Sequence, residues 1–153
     1  MQFLQQWTET SAFFIWLRES TSIWAYPTVF FLHTIGLVFT AGVSIIIDAR
    51  LLGAARDLPV APLARYFRAV WIGFWLTVAS GVVMLLSDLQ TKLGNQLLPV
   101  KMIFVVGAVV LLALLRRRIA AANVSPLTRV LAALSLVCWL GAIAAGRFMA
   151  YLQ

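Results

Sequence analysis

Residues 24–53, WAYPTVFFLHTIGLVFTAGVSIIIDARLLG, decide the fold of this chain. The run is apolar over a membrane-crossing length, carries a histidine near its middle, and leaves through a charged DARLLG segment. A helix needs about 20 apolar residues to cross a hydrocarbon core of ~30 Å. The span from Ile23 to Ile47 meets that length with room for tilt. Pro27 falls in its first turn, where a missing N–H costs little.

Three more apolar runs follow, over residues 66–86, 97–115 and 127–146. Of the 153 residues, 63% are hydrophobic and only 11% charged, and the mean hydropathy is +0.97. A soluble domain carries roughly 25% charged residues. The expected fold is therefore all-α and polytopic, a four-transmembrane-helix bundle forming one domain over residues 1–153. Ahead of it, residues 3–18 are too short and polar to cross. Phe3, Trp7, Phe14 and Leu17 recur at helical spacing there, with Phe13 and Trp16 widening the stripe. That pattern fits an amphipathic interfacial helix, or an extra helix packed on the bundle rim. MQFLQQWTET has no basic region or small-residue cleavage site, so no removable leader is expected.

The net charge of +7 comes from basic residues at the ends of apolar runs. No polar or aromatic surface accompanies them on which bases could stack, so nucleic acid is excluded in favour of membrane lipid. The links after spans one and three hold Arg50, Arg56, Arg65, Arg68, Arg116, Arg117, Arg118 and Arg129. The positive-inside rule places those links in the cytoplasm and both termini outside. Cys138 is the lone cysteine and forms no intrachain disulfide. No CxxC, HExxH, GxSxG, P-loop or dinucleotide fingerprint is present, which leaves no catalytic motif. The few carboxylates lie at span ends, so no intramembrane carboxylate relay is expected. Asp48, Arg50 and Gly53 read as a local ion pair and a glycine stop.

An ionisable side chain inside a bilayer costs about 2.5–3.5 kcal/mol on insertion scales, so His33 needs a reason to be there. It lies about ten residues into its span, ~15 Å along the helix, toward the non-cytoplasmic side. Tyr26, Gly36, Thr40 and Ser44 share its face. A glycine one turn from a histidine leaves a flat space for a planar macrocycle. Imidazole is a common axial ligand of haem and a good ligand of copper. The same pattern also serves a neutral histidine hydrogen-bonded to another helix. Lys101 opens span three and Arg147 closes span four, both at the level His33 favours. They would pair with haem propionates, or else snorkel to headgroups. Met84 and Met102 are the candidates for a second ligand, to haem iron or to Cu(I), unless they simply pack. A five-coordinate site, or one haem shared by His33 of two subunits, are the other arrangements. In span four, Gly141 with Ala145 and Ala142 with Gly146 predict close helix contact, within the bundle or between subunits.

Taken in order, the stretch 24–53, WIGFWLTVASGVVMLLSD, LLPVKMIFVVGAVVLLALL and AAGRFMAYLQ resemble an uncharacterised family of small bacterial four-span membrane proteins. More distantly, a span-one histidine and a span-three lysine are similar to CopD-type copper-resistance membrane domains and HemJ-type protoporphyrinogen oxidases. The resemblance implies a bacterial inner membrane location, and functional roles for His33 and Lys101 with haem, porphyrin or copper. The chain lacks the further histidines of the copper proteins and the HemJ motif around the histidine. The expectation is a b-type haem protein for electron transfer or redox sensing, an oxidoreductase component without its own catalytic motif. His33 would bind the iron, with Lys101, Arg147, Tyr26 and Gly36 around the haem. Copper handling through His33, Met84 and Met102 is the first alternative. A structural subunit of a larger complex is the second. Either way a homo-oligomer or a membrane redox complex is the expected assembly.

Overall fold

In the computed structural model, residues 2–54, 57, 59–121, 124–149 and 151 are described, with main chain only for 2–5 and 61. Among them there is helix and no strand. Eight α-helices follow one another: α1 Gln2–Thr10, α2 Ala12–Glu19, α3 Tyr26–Leu37, α4 Val43–Leu52, α5 Phe67–Ser87, α6 Leu89–Gly94, α7 Leu97–Ala120 and α8 Pro126–Met149. A π-helical turn, Val38–Gly42, joins α3 to α4, and a 3-10 turn, Ala61–Tyr66, leads into α5. Four continuous helical stretches are long and apolar enough to cross a membrane: Tyr26–Leu52, Pro62–Ser87, Leu97–Ala120 and Pro126–Met149. Their outward faces carry Phe31, Ile46, Ile72, Trp75 and Ile103, an apolar belt that water would not tolerate uncovered.

The first and third stretches run past their expected ends, Ile47 and Leu115, for one reason. Ile47, Asp48 and Leu51 stay buried beyond Ile47, so burial rather than hydropathy carries the first span to Leu52. It stops where Gly53 adopts φ 112°, and the Ala54 N–H bonds to the Ala49 carbonyl at 2.9 Å. Leu112, Leu115 and Ile119 likewise carry α7 past its three arginines. These residues meet Leu63, Phe67, Val70 and Ala132 in the largest core, at the arginine-rich end.

The π turn decides which neighbour each half of span one meets. One extra residue in a turn rotates everything below it by ~100°. Above the turn α3 lies on α5; below it α4 lies on α8, and α7 packs along α8. Gly36 is the closest point of the upper contact. A Cβ there would come within 2.8 Å of the Thr77 nitrogen and 2.9 Å of the Gly73 carbonyl oxygen. A Cβ on Gly73 would in turn meet the Gly36 oxygen at 2.8 Å. The flat space beside His33 is thus filled by span-two backbone, and Gly36 serves packing there, not a macrocycle. The expected small-residue contact of span four forms within the bundle. The Phe104 ring covers Gly141, Lys101 lies along Gly146, and Ala142 and Ala145 are buried.

The amphipathic N-terminal segment is two helices, broken at Ser11. Phe14 and Leu17 are buried against Ala25, Val29, Val83 and Leu86, which docks α2 on the rim of spans one and two. Trp7, Phe13 and Trp16 stay exposed beside them, and the Phe3 side chain lies outside the described residues, as does Arg56.

Gly36→Ala is expected to destabilise the fold by about 1–3 kcal/mol through overpacking against backbone. Gly94→Ala is the control, because nothing lies within 4 Å of its Cβ position. Thermal unfolding of the two variants in detergent measures the difference.

Candidate functional site

Span two receives the histidine. Gly73, Thr77, Ser80 and Gly81 recur on one face of α5, and three of them contact His33. His33 Nδ1 lies 3.1 Å from the Thr77 carbonyl oxygen and 3.1 Å from Ser80 Oγ. A carbonyl only accepts, so Nδ1 carries the proton. Ser80 agrees with this assignment, since its own hydroxyl donates to the Leu76 carbonyl at 2.6 Å. The ring rests on Gly81, where a Cβ would stand 3.2 Å from Cε1. With Nδ1 protonated, Nε2 holds the lone pair, and no other described residue bonds to it. An Nδ1–H···O=C bond of this kind orients ligating histidines in metal sites. It serves equally as an interhelical bond.

Two lysines stand near enough for their charges to act on His33, Lys101 first and Lys92 second. Lys101 is half-buried, its stem along Gly146, and its Nζ makes no hydrogen bond or ion pair with any other described residue. Lys92, on α6, is held differently. Its Nζ donates to the Met84 carbonyl at 2.5 Å and to Tyr26 Oη at 3.3 Å, and sits 5.4 Å from the centre of the Tyr26 ring. Tyr26 is therefore brought to the cluster through Lys92.

Arg147, next to the Gly146 that Lys101 lies along, is exposed and stacks over the Tyr151 ring at 5.4 Å. Met84 offers its carbonyl to Lys92. Met102 turns outward, 49% exposed. Among the described residues no group of three or more His, Cys, Asp or Glu side chains is placed to hold a metal. Sequence reasoning passed over Lys92 because it reads as a linker charge. It passed over Thr77 and Ser80 because they are minor interruptions of an apolar run; their i, i+3 spacing with flanking glycines was the available signal.

Lower in span one the polar face is closed. Thr40 Oγ1 donates to the Gly36 carbonyl at 2.8 Å, and Ser44 Oγ to the Thr40 carbonyl at 2.6 Å. Asp48 follows on the same side, and here the structure corrects the sequence reading. Its side chain is fully buried, at 0% exposure, and neither carboxyl oxygen has a hydrogen-bond partner among the described residues. Ser135 lies beside it without completing a bond, and Trp139 Nε1, one turn along the same face of α8, is also unpaired.

Comparison with known proteins found no matching family, curated relative or solved structure.

A buried polar group without a partner costs about 1–3 kcal/mol. Asp48→Asn, which keeps the shape, removes the charge and brings N–H donors that a helix carbonyl can accept, is expected to stabilise the fold by a similar amount. Detergent-phase thermal melts read this directly, and a melting temperature that falls would contradict it.

Proposed function

We propose that this chain is a four-span membrane protein that binds b-type haem through His33, for electron transfer or redox sensing. The observation that carries the reading is one imidazole whose Nε2 is unbonded among the described residues, within reach of the charge of a half-buried ammonium that has no counter-charge among them. A coordinating nitrogen and an unpaired cation together suit a ligand that is both metal-centred and anionic. Lys101 would pair with a propionate. Lys92 and Tyr26 would border the same region. Bound haem would supply reversible one-electron chemistry. The chain's own residues would orient the imidazole through Thr77 and Ser80, and exclude water with α2 and the apolar belt.

The membrane placement belongs to the same proposal. Arg65, Arg68 and Arg116, from spans two and three, gather at one end of the bundle, and His33 lies in the other half. Positive-inside bias puts the arginine end in the cytoplasm of a bacterial inner membrane and both termini outside. There α1 and α2, with Trp7, Phe13 and Trp16 outward, would lie at headgroup depth. A homo-oligomer or a larger redox complex would cover part of the belt. Copper handling draws less support, since Met102 faces away and Met84 is engaged through its backbone.

A specific observation favours a second reading, a structural subunit. His33 already clips span one to span two through Thr77 and Ser80, and Gly36 is filled by that neighbour. An ultraviolet–visible spectrum of detergent-purified protein separates the two. The haem reading expects a Soret band that disappears in His33→Ala, and about tenfold weaker haem binding in Lys101→Gln, the loss of one charge-assisted contact. A purified, folded protein without that band would leave the structural reading in its place.

A further inference from the structure

At the arginine-rich end, a groove of about 610 Å³ opens between the start of span two and the end of span three. Its polar rim is Arg65, Arg68 and Arg116; its walls include Phe67, Trp71, Ile72 and Trp75. Arg65 is partly occupied, bonding to Tyr66 Oη at 3.1 Å and stacking on that ring. Arg68 and Arg116 are exposed and make no hydrogen bond or ion pair with any other described residue. Among the described residues no carboxylate lines the groove. Three guanidinium groups therefore line a concave space with no anion among those residues to neutralise them.

We infer that this groove is a binding site for an anionic phospholipid. The arginines supply the charge complement, forked donors suited to a phosphodiester. The walls supply the rest of the discrimination. From Arg65 to Trp75 the helix rises ~15 Å, so a ligand held at the rim continues along Ile72 and Trp75 into the apolar belt. A free phosphate would use the rim and leave those aromatic walls uncovered. A phospholipid fills both. Basic pockets between membrane helices on the cytoplasmic side bind anionic headgroups in this manner. The inference rests on the membrane placement proposed above and is independent of haem.

The test compares phosphatidylglycerol with phosphatidylcholine on the full chain in nanodiscs. Brominated forms of each lipid quench tryptophan emission, with a Trp71→Phe/Trp75→Phe variant as background, and native mass spectrometry counts retained lipid. The expected result is at least about fivefold preference for phosphatidylglycerol, near the ~1 kcal/mol each basic residue contributes at a membrane surface. That preference weakens with added salt and falls toward unity in Arg68→Gln/Arg116→Gln. Equal retention of the two lipids, a preference that ignores salt, or one unchanged in the double variant overturns the proposal. The salt series on the wild-type chain decides the matter even if the double variant fails to fold. Full displacement of the lipid by millimolar inorganic phosphate would make this a phosphate site and overturn the lipid assignment. A chain that does not enter nanodiscs fails the membrane reading and this proposal together; one that enters without preference fails this proposal alone.

Discussion

The approach of span one to span two at Gly36 and Gly73 is the constraint from which the His33 half of the bundle follows. Two backbones this close leave no room for a side chain at either position. The contact sets both rotation and register. One turn toward the N-terminus, His33 then meets the Thr77 carbonyl and Ser80, with Gly81 making space for the ring. In an apolar surrounding every such polar atom must find its partner inside the protein. The histidine's tautomer is thus a consequence of helix packing, and so is the direction of its remaining lone pair.

The inner half of the same helix shows what that solution cannot do. A helix interior has carbonyl oxygens with a spare lone pair, while its N–H groups are already used. Donors are therefore easily satisfied. Thr40, Ser44 and the His33 Nδ1–H all give their hydrogens to backbone carbonyls. A carboxylate only accepts when ionised, and the helix has nothing to offer it. Asp48 consequently stands unpaired beside Ser135, although it follows Thr40 and Ser44 at the same spacing. The π turn adds to this by swinging the lower half away from span two and onto α8.

Four helical stretches long and apolar enough to cross a membrane were legible because hydropathy and length decide them, and so was the glycine stop at Gly53. The span ends were not, because Ile47, Leu51 and Ile119 are ordered by partners distant in sequence. His33 was legible as an oddity. Its company was only partly so: Lys101 was identified and its charge reaches His33, whereas Lys92, whose charge also reaches it, was passed over. The helical wheel of a single segment shows which residues share a face. It does not show which neighbour the face meets, and so Gly36 suggested room where there is a second backbone. The π turn left no mark in composition, and with it the inward turn of Asp48 was hidden.

The lysines near His33 differ in a way that bears on any anion bound there. Lys92 has its ammonium over a ring and on a backbone carbonyl, so its charge is partly satisfied and its mechanical effect is clear. It ties α6 to the outer ends of spans one and two. Lys101 has no such acceptor among the described residues, and its stem is held against Gly146. A half-buried ammonium in that condition is costly unless something outside the chain completes it. Five acidic residues against twelve basic ones leave few internal anions to do so. The same shortage exists around Arg68 and Arg116 at the opposite end. There the cations are exposed and can wait in water or headgroups, which makes them suited to an exchangeable lipid. Lys101 is more enclosed, so an anion that neutralises it would be held in one orientation, with His33 at its side.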